Sequence, residues 1–205
     1  METNTLLIIF CDIYKKFIDS CDEYIKANPE LQNHFKFATY FGDIRDLKVK
    51  DAAFISPANS RGSMGGGIDL LYTTEMFPNV HKIVMDKISK LPTKQILKRS
   101  FDELAKGTTQ SILPIGEAMI TPLTNYKKYK TCYLISAPTM EYPMNIEGTD
   151  NPYRAFLATL NIIKANKDLN ITTLVCPGLG TGIGNFSPEE SVKQIFRALN
   201  EYISL

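Results

Sequence analysis

Histidine is scarce in this sequence: only His34 and His81 occur, far apart, and the four cysteines form neither a CxxC pair nor a cluster with histidine. A histidine-rich metal site and a histidine-centred triad therefore have almost no raw material, and neither a metal nor a cofactor is expected. Cys11, Cys21, Cys132 and Cys176 lie in or beside apolar runs and read as buried, reduced thiols. Neither sign of charge is in excess. Against 22 acidic residues stand 23 Lys and Arg, so a net charge of +1 supplies no field that would gather nucleic acid or a membrane surface. The short basic stretch Lys127-Lys128-Tyr129-Lys130 reads as a solvated loop. Long hydrophobic runs are missing too. Leu6 to Phe10 is preceded by Glu2 and followed by Asp12, without the basic flank of a signal peptide or the length of a membrane span. A cytoplasmic, reducing setting is the expectation.

What the sequence does contain is an alternation of short apolar runs and amphipathic stretches. Its 205 residues suffice to bury roughly 70 % of the unfolded surface, and residues 1–205 read as a single domain. Leu6 to Cys11 is a continuous apolar run, the pattern of a strand covered on both faces. From Asp12 to about Ala27 the apolar residues recur at three- and four-residue steps and predict an amphipathic helix ending at Asn28-Pro29. Further strands are predicted at Phe35 to Tyr40, Ala53 to Ser56, Met119-Ile120, Cys132 to Ala137 and Thr172 to Cys176. Helices are predicted from Ile68 to about Phe77, within Ile83 to Lys106, after an Asn151-Pro152 start, and after the Ser187-Pro188-Glu189-Glu190 capping box. Strands alternating with helices imply a mainly parallel sheet covered on both sides, with ligands bound beyond the carboxyl ends of the strands.

Two segments in that position are rich in small residues. Ser56-Pro57-Ala58-Asn59-Ser60-Arg61-Gly62-Ser63-Met64-Gly65-Gly66-Gly67-Ile68-Asp69 follows the third strand. Pro177-Gly178-Leu179-Gly180-Thr181-Gly182-Ile183-Gly184-Asn185-Phe186 follows the last. Glycine lets consecutive amides converge on an anion, and a helix N-terminus beyond the loop adds partial positive charge, so two such loops at one sheet edge suit a diphosphate. The bland alternative is a pair of tight strand-to-helix turns. Neither loop is a P-loop, because no lysine follows either glycine cluster. Nor is the second a dinucleotide fingerprint, since Ile183 occupies its third glycine slot.

Together with Gly42-Asp43-Ile44 after the second strand, these motifs resemble the macrodomain family. Ser56-Pro57-Ala58-Asn59 leads to Gly65-Gly66-Gly67-Ile68-Asp69, and Gly180-Thr181-Gly182-Ile183 precedes the last helix, in the family's order over roughly residues 35 to 200. The resemblance implies a three-layer α/β/α macrodomain fold with a mixed, mainly parallel central sheet, and ADP-ribose or a derivative as ligand. It implies that Asp43 accepts a hydrogen bond from the adenine amine and that the Ile44 amide donates to the ring. Gly180, Thr181, Gly182, Ile183 and Gly184 would surround the diphosphate, with Phe186 near the adenosine. Asn59 would bind the distal ribose in a pocket lined by Gly65, Gly66 and Gly67. Asn59 and Asp69 would be the catalytic pair that orients that ribose and a water molecule. Each role has a local alternative: a turn or helix cap for Asp43, a turn brace for Asn59, a helix cap or first-turn acid for Asp69 and a hydrophobic staple for Phe186.

Two departures from the family pattern stand out. Ser56-Pro57 replaces the first asparagine of the usual Asn-Ala-Ala-Asn stretch, and Gly184 replaces an aromatic residue, which suggests a more open distal-ribose pocket. The Pro-Gly-Leu-Gly-Thr-Gly spelling and Ala137-Pro138-Thr139-Met140 resemble a branch that includes ADP-ribose 1''-phosphate phosphatases. The function so implied is a hydrolase acting on an ADP-ribose derivative, through 1''-phosphate removal or de-ADP-ribosylation. The alternatives are a non-catalytic reader of ADP-ribose, ADP-ribosylated protein or an NAD-derived signal, and a structural domain that binds no nucleotide. His81 is a conceivable proton donor but reads as a surface residue of the Pro78-Asn79-Val80-His81 turn.

Overall fold

The computed structural model describes residues 5–95 and 109–204. Six strands make one sheet in the order β2-β1-β8-β3-β7-β6, formed by β1 (Leu7–Asp12), β2 (Lys36–Phe41), β3 (Ala52–Ser56), β6 (Met119–Pro122), β7 (Tyr133–Ser136) and β8 (Thr173–Cys176). Every pairing is parallel except β6 with β7. A separate antiparallel pair joins β4 (Thr93–Gln95) to β5 (Thr109–Ser111). The sheet is thus mixed but mainly parallel.

Burial on both faces explains the near-continuous apolar spelling of β1, β3 and β8. One face, through Ile8, Phe10, Ala53, Ile55, Leu174 and Cys176, packs on α1 (Lys15–Ala27), α4 (Asn151–Ala165) and α5 (Pro188–Ser204). The other, through Ala52, Phe54, Leu134 and Val175, packs on α2 (Gly67–Leu71), the wide turn after it and α3 (Val80–Ser89). Three layers result, α/β/α. Phe54 anchors the second face: it is fully buried and meets Tyr72, Phe77 and Tyr129 edge-on at centroid separations of 6.2, 5.5 and 5.8 Å. Among the described residues no helix is long and apolar enough to cross a membrane.

Several element boundaries differ from the sequence expectation, each for a physical reason. Asp12 belongs to β1 rather than to the first helix, which starts at Lys15. The second strand is shifted by one residue to Lys36–Phe41, an edge strand whose half-exposed residues blur the apolar signal. The helix expected from Ile68 to Phe77 stops at Leu71 and widens into a π-helical turn, Tyr72–Met76, closed by Phe77 N–H donating to Tyr72 O at 2.7 Å. That widening brings Tyr72 and Phe77 into the same core, where the Tyr72 hydroxyl donates to Ile55 O at 3.2 Å. In the stretch from Ile83 to Lys106, α3 ends at Ser89 and β4 follows Pro92; residues 96–108 lie outside the described ones. At the start of α4, Asp150 rather than Asn151 holds the cap position, and the Asn151 amide instead donates to Thr139 O at 2.8 Å. The Ser187 cap does form, its Oγ accepting from Glu190 N–H at 3.1 Å.

Replacing Phe54 by alanine empties the meeting point of three aromatic rings. Urea denaturation of Phe54→Ala should show a loss of about 3–5 kcal/mol relative to the unaltered protein.

Candidate functional site

Because β1, β8 and β3 are neighbours and run parallel, the segments leaving their carboxyl ends lie side by side. With the loops after β2 and β7 they enclose one cavity of about 710 Å³, a size suited to a nucleotide-like ligand. Asp43, Ile44, Asn59, Gly65, Gly66, Gly67, Asp69, Gly180, Thr181, Gly182, Ile183 and Gly184 all line it. Phe186 does not.

The loop after β8 is tied down from several sides. Its Gly178 amide donates to Asp12 Oδ2 at 3.1 Å, and a Cβ at Gly178 would stand 2.6 Å from Thr181 Oγ1. Gly180 adopts φ +74°, which an L side chain rarely takes. Phe186 N–H donates to Gly180 O at 3.1 Å, Asn185 N–H to Gly182 O at 3.0 Å, and Ile146 N–H to Gly184 O at 3.0 Å. Among the described residues no backbone carbonyl accepts from the amides of Thr181, Gly182, Ile183 or Gly184. Four consecutive cavity-lining residues thus keep amides without a backbone partner. Across the opening, Ile183 Cδ1 lies 3.5 Å from where a Cβ on Gly66 would sit, so the two glycine-rich loops meet over the cavity.

The loop after β3 is braced by Asn59. Its Oδ1 accepts from Arg61 N–H at 3.1 Å and Ser63 N–H at 3.3 Å, and its Nδ2 donates to Ser63 O at 3.2 Å. The loop-brace role is therefore real, and Asn59 lines the cavity as well. Asp69 sits in the first turn of α2, only 7 % exposed, and its Oδ1 accepts from Ser56 Oγ at 2.5 Å. Gly66 holds the cap position, so Asp69 is not the cap. Burial raises its carboxyl from the ordinary 3.8 to about 7, with the Ser56 hydrogen bond pulling the other way.

Asp43, which also lines the cavity, is held the other way. It caps the short turn Ile44–Asp46 by accepting from Arg45 N–H at 2.8 Å, and the Arg45 guanidinium grips the same carboxylate while also pairing with Glu75. That grip keeps Asp43 below the usual carboxylate range. No described group of three His, Cys, Asp or Glu side chains could hold a metal ion.

A family model described as the Macro domain matches residues 55–195. The chain belongs to the macrodomain family. An uncharacterised protein of Aquifex aeolicus (strain VF5) is 26 % identical over 155 residues, 76 % of each chain. An Oceanobacillus iheyensis macrodomain mutant solved with ADPR superposes with a TM-score of 0.55 at 16 % identity, over 78 % of this chain and 74 % of that one. Thermosipho africanus DarTG in complex with ADP-ribose gives 0.52 at 15 % identity, over 88 % of this chain and 48 % of that one. At such identities the likeness to the solved structures is one of fold.

Several side chains of this macrodomain stand elsewhere than the motif reading put them. Phe186 is buried with Met140 and Ile146, because the turn that returns to Gly180 O carries its ring inward, and it is not part of the cavity lining. Gly184 does not open the pocket: a Cβ there would lie 2.5 Å from Gly180 O and 2.9 Å from Ile146, so its glycine lets the loop close on itself. His81 lies in the first turn of α3 with Nδ1 2.7 Å from Thr73 Oγ1, and is not part of the cavity lining. The motif reading also missed lining residues, among them Asp12 at the end of β1, Ile13 and Tyr14 beyond it, Arg45, and Thr139, Met140 and Pro143 after β7. The rule that sites lie beyond strand ends would have selected Asp12, had it not been counted into a helix.

The Asp69 carboxyl carries a stability signature. Its folded-state value is raised, so below its ordinary 3.8 it is neutral in both states and costs nothing. As pH rises through the window up to about 7, the unfolded chain ionises first and the fold loses stability, by a few kcal/mol in order of magnitude. Asp69→Asn, which keeps an acceptor for Ser56, should melt close to the unaltered protein at about pH 4 and above it at about pH 8, as read by thermal denaturation.

Proposed function

We propose that this macrodomain binds ADP-ribose or an ADP-ribosyl group and hydrolyses a bond at the distal ribose. The observation that carries the reading is the run of amides from Thr181 to Gly184 without a backbone partner, in a loop that meets the glycine-rich loop after β3 across one cavity. Such a run suits a diphosphate without a lysine. Asp43, ionised and oriented by Arg45, supplies an acceptor for the adenine amine at one end. Asp69 stands at the other end with a proton affinity near neutrality, the property wanted of a group that takes a proton from water and returns it to a leaving group. ADP-ribose 1''-phosphate and ADP-ribosylated protein are the substrate classes.

A reader without turnover is the second reading, and one observation favours it. The three hydrogen bonds of the Asn59 side-chain amide go to its own loop, which leaves that side chain less free to orient ribose and water. The proposal takes residues 1–205 as one macrodomain, since β1 near the start pairs with β8 and α1 packs on α5 at the end. It takes a reducing, cytoplasmic setting from the four free, buried cysteines.

Calorimetric titration with ADP-ribose is expected to give micromolar affinity, about −8 kcal/mol. AMP should bind more weakly, and Asp43→Ala should lose about tenfold, near 1.4 kcal/mol. Phosphate release from ADP-ribose 1''-phosphate and ADP-ribose release from a modified protein, each under single-turnover conditions, separate hydrolase from reader. Absence of ADP-ribose binding would end both readings.

A further inference from the structure

Ser56 ends β3 and is fully buried, and its hydroxyl donates to Asp69 Oδ1. Its backbone is among the most firmly held near the cavity: it stands in register with Ser136 of β7, and its carbonyl accepts from Ala137 N–H at 3.0 Å. The hydroxyl thus comes from the rigid sheet, whereas Asp69 comes from a five-residue helix that follows a glycine-rich loop. Hydrogen bonds from side chains to Asp69 among the described residues reach Oδ1 alone. The groups facing the carboxyl are Ser56 from β3 and, one turn along its own segment, the Tyr72 phenol, itself committed to Ile55 O; Cys11 and Cys176 lie beyond Tyr72. No cation is among them. The proton on Asp69 is consequently governed by burial and by a single hydroxyl.

We propose that Ser56 is a positioning residue for Asp69: it clamps Oδ1, leaves Oδ2 to the distal ribose, and ties occupancy of that end of the cavity to the protonation state of Asp69. The inference rests on the ADP-ribose reading and deepens it. The ionised carboxylate accepts hydrogen bonds from ribose hydroxyls with either oxygen, whereas the neutral acid presents a donor and a weaker acceptor. Ligands that reach the distal ribose therefore bind more tightly as pH rises through the Asp69 midpoint, and ligands confined to the adenosine half do not respond. In hydrolysis the same carboxylate accepts a proton from the attacking water as the water oxygen bonds to the ribose carbon. It returns that proton to the departing oxygen as the old bond breaks, so no oxidant or other co-reactant enters.

The test has two arms on the full chain, with Ser56→Ala, Ser56→Thr and the unaltered protein. Carbon-detected NMR titration of the Asp69 carboxyl, without ligand, should show its midpoint near neutrality, moved up by about one pH unit in Ser56→Ala and restored by Ser56→Thr. Calorimetry should show ADP-ribose affinity falling about tenfold from about pH 8 to about pH 6 in the unaltered protein. The inflection should move with the Ser56→Ala midpoint, while adenosine, which has no group titrating in this range, stays flat. An Asp69 midpoint that ignores Ser56→Ala, or an ADP-ribose profile that does not follow it, overturns the role of Ser56 and leaves ADP-ribose binding standing. If the unaltered protein fails to bind ADP-ribose at any pH, the functional reading falls first and this inference with it.

Discussion

Everything at the site depends on three parallel strands, β1, β8 and β3, being buried on both faces and ending side by side. Covered strands need no polar alternation and can be short, and their carboxyl ends deliver three loops to one place. The loops are pinned by a few buried apolar side chains, Ala58, Met64, Leu179 and Phe186, set between their glycines. They hold shape through hydrogen bonds that spend carbonyls and side chains, among them Gly180 O, Gly182 O, Gly184 O and the Asn59 amide, while several amides stay free. A cavity edged by donors is the result.

Two carboxylates in that cavity are set to opposite protonation behaviour by their surroundings. Asp43 is half-exposed and gripped by Arg45, so it stays charged. Asp69 is buried beside one neutral hydroxyl, so its charge is costly. One cavity thus holds a carboxylate kept ionised and another that keeps its proton more firmly, two different chemical capacities in one place.

Much of this was legible in the sequence. The alternation of apolar runs with helical periods predicts the layered sheet, and the two glycine-rich segments predict which loops face each other. What was not legible depends on contacts between residues distant in sequence. The end of α2 at Leu71 follows from Tyr72 being drawn into the ring cluster around Phe54, which no local pattern announces. Gly184 reads as a missing aromatic in the motif, but its reason is the Gly180 carbonyl behind it. Ser56 reads as a lost asparagine; only the fold shows its hydroxyl on Asp69. Phe186 fits a staple and a ligand contact equally until the direction of the preceding turn is known.

The bond from the Gly178 amide to Asp12 joins residues 166 positions apart. It spans nearly the whole chain, and β1 cannot take its place beside β8 until that late strand has been made. A chain lacking β8 can bury β1 against β2 and α1, yet Asp12 then lacks the loop that leans on it. Closure of that long loop costs entropy that only the completed sheet returns. The cavity is consequently complete only when β1 and β8 both stand in the sheet.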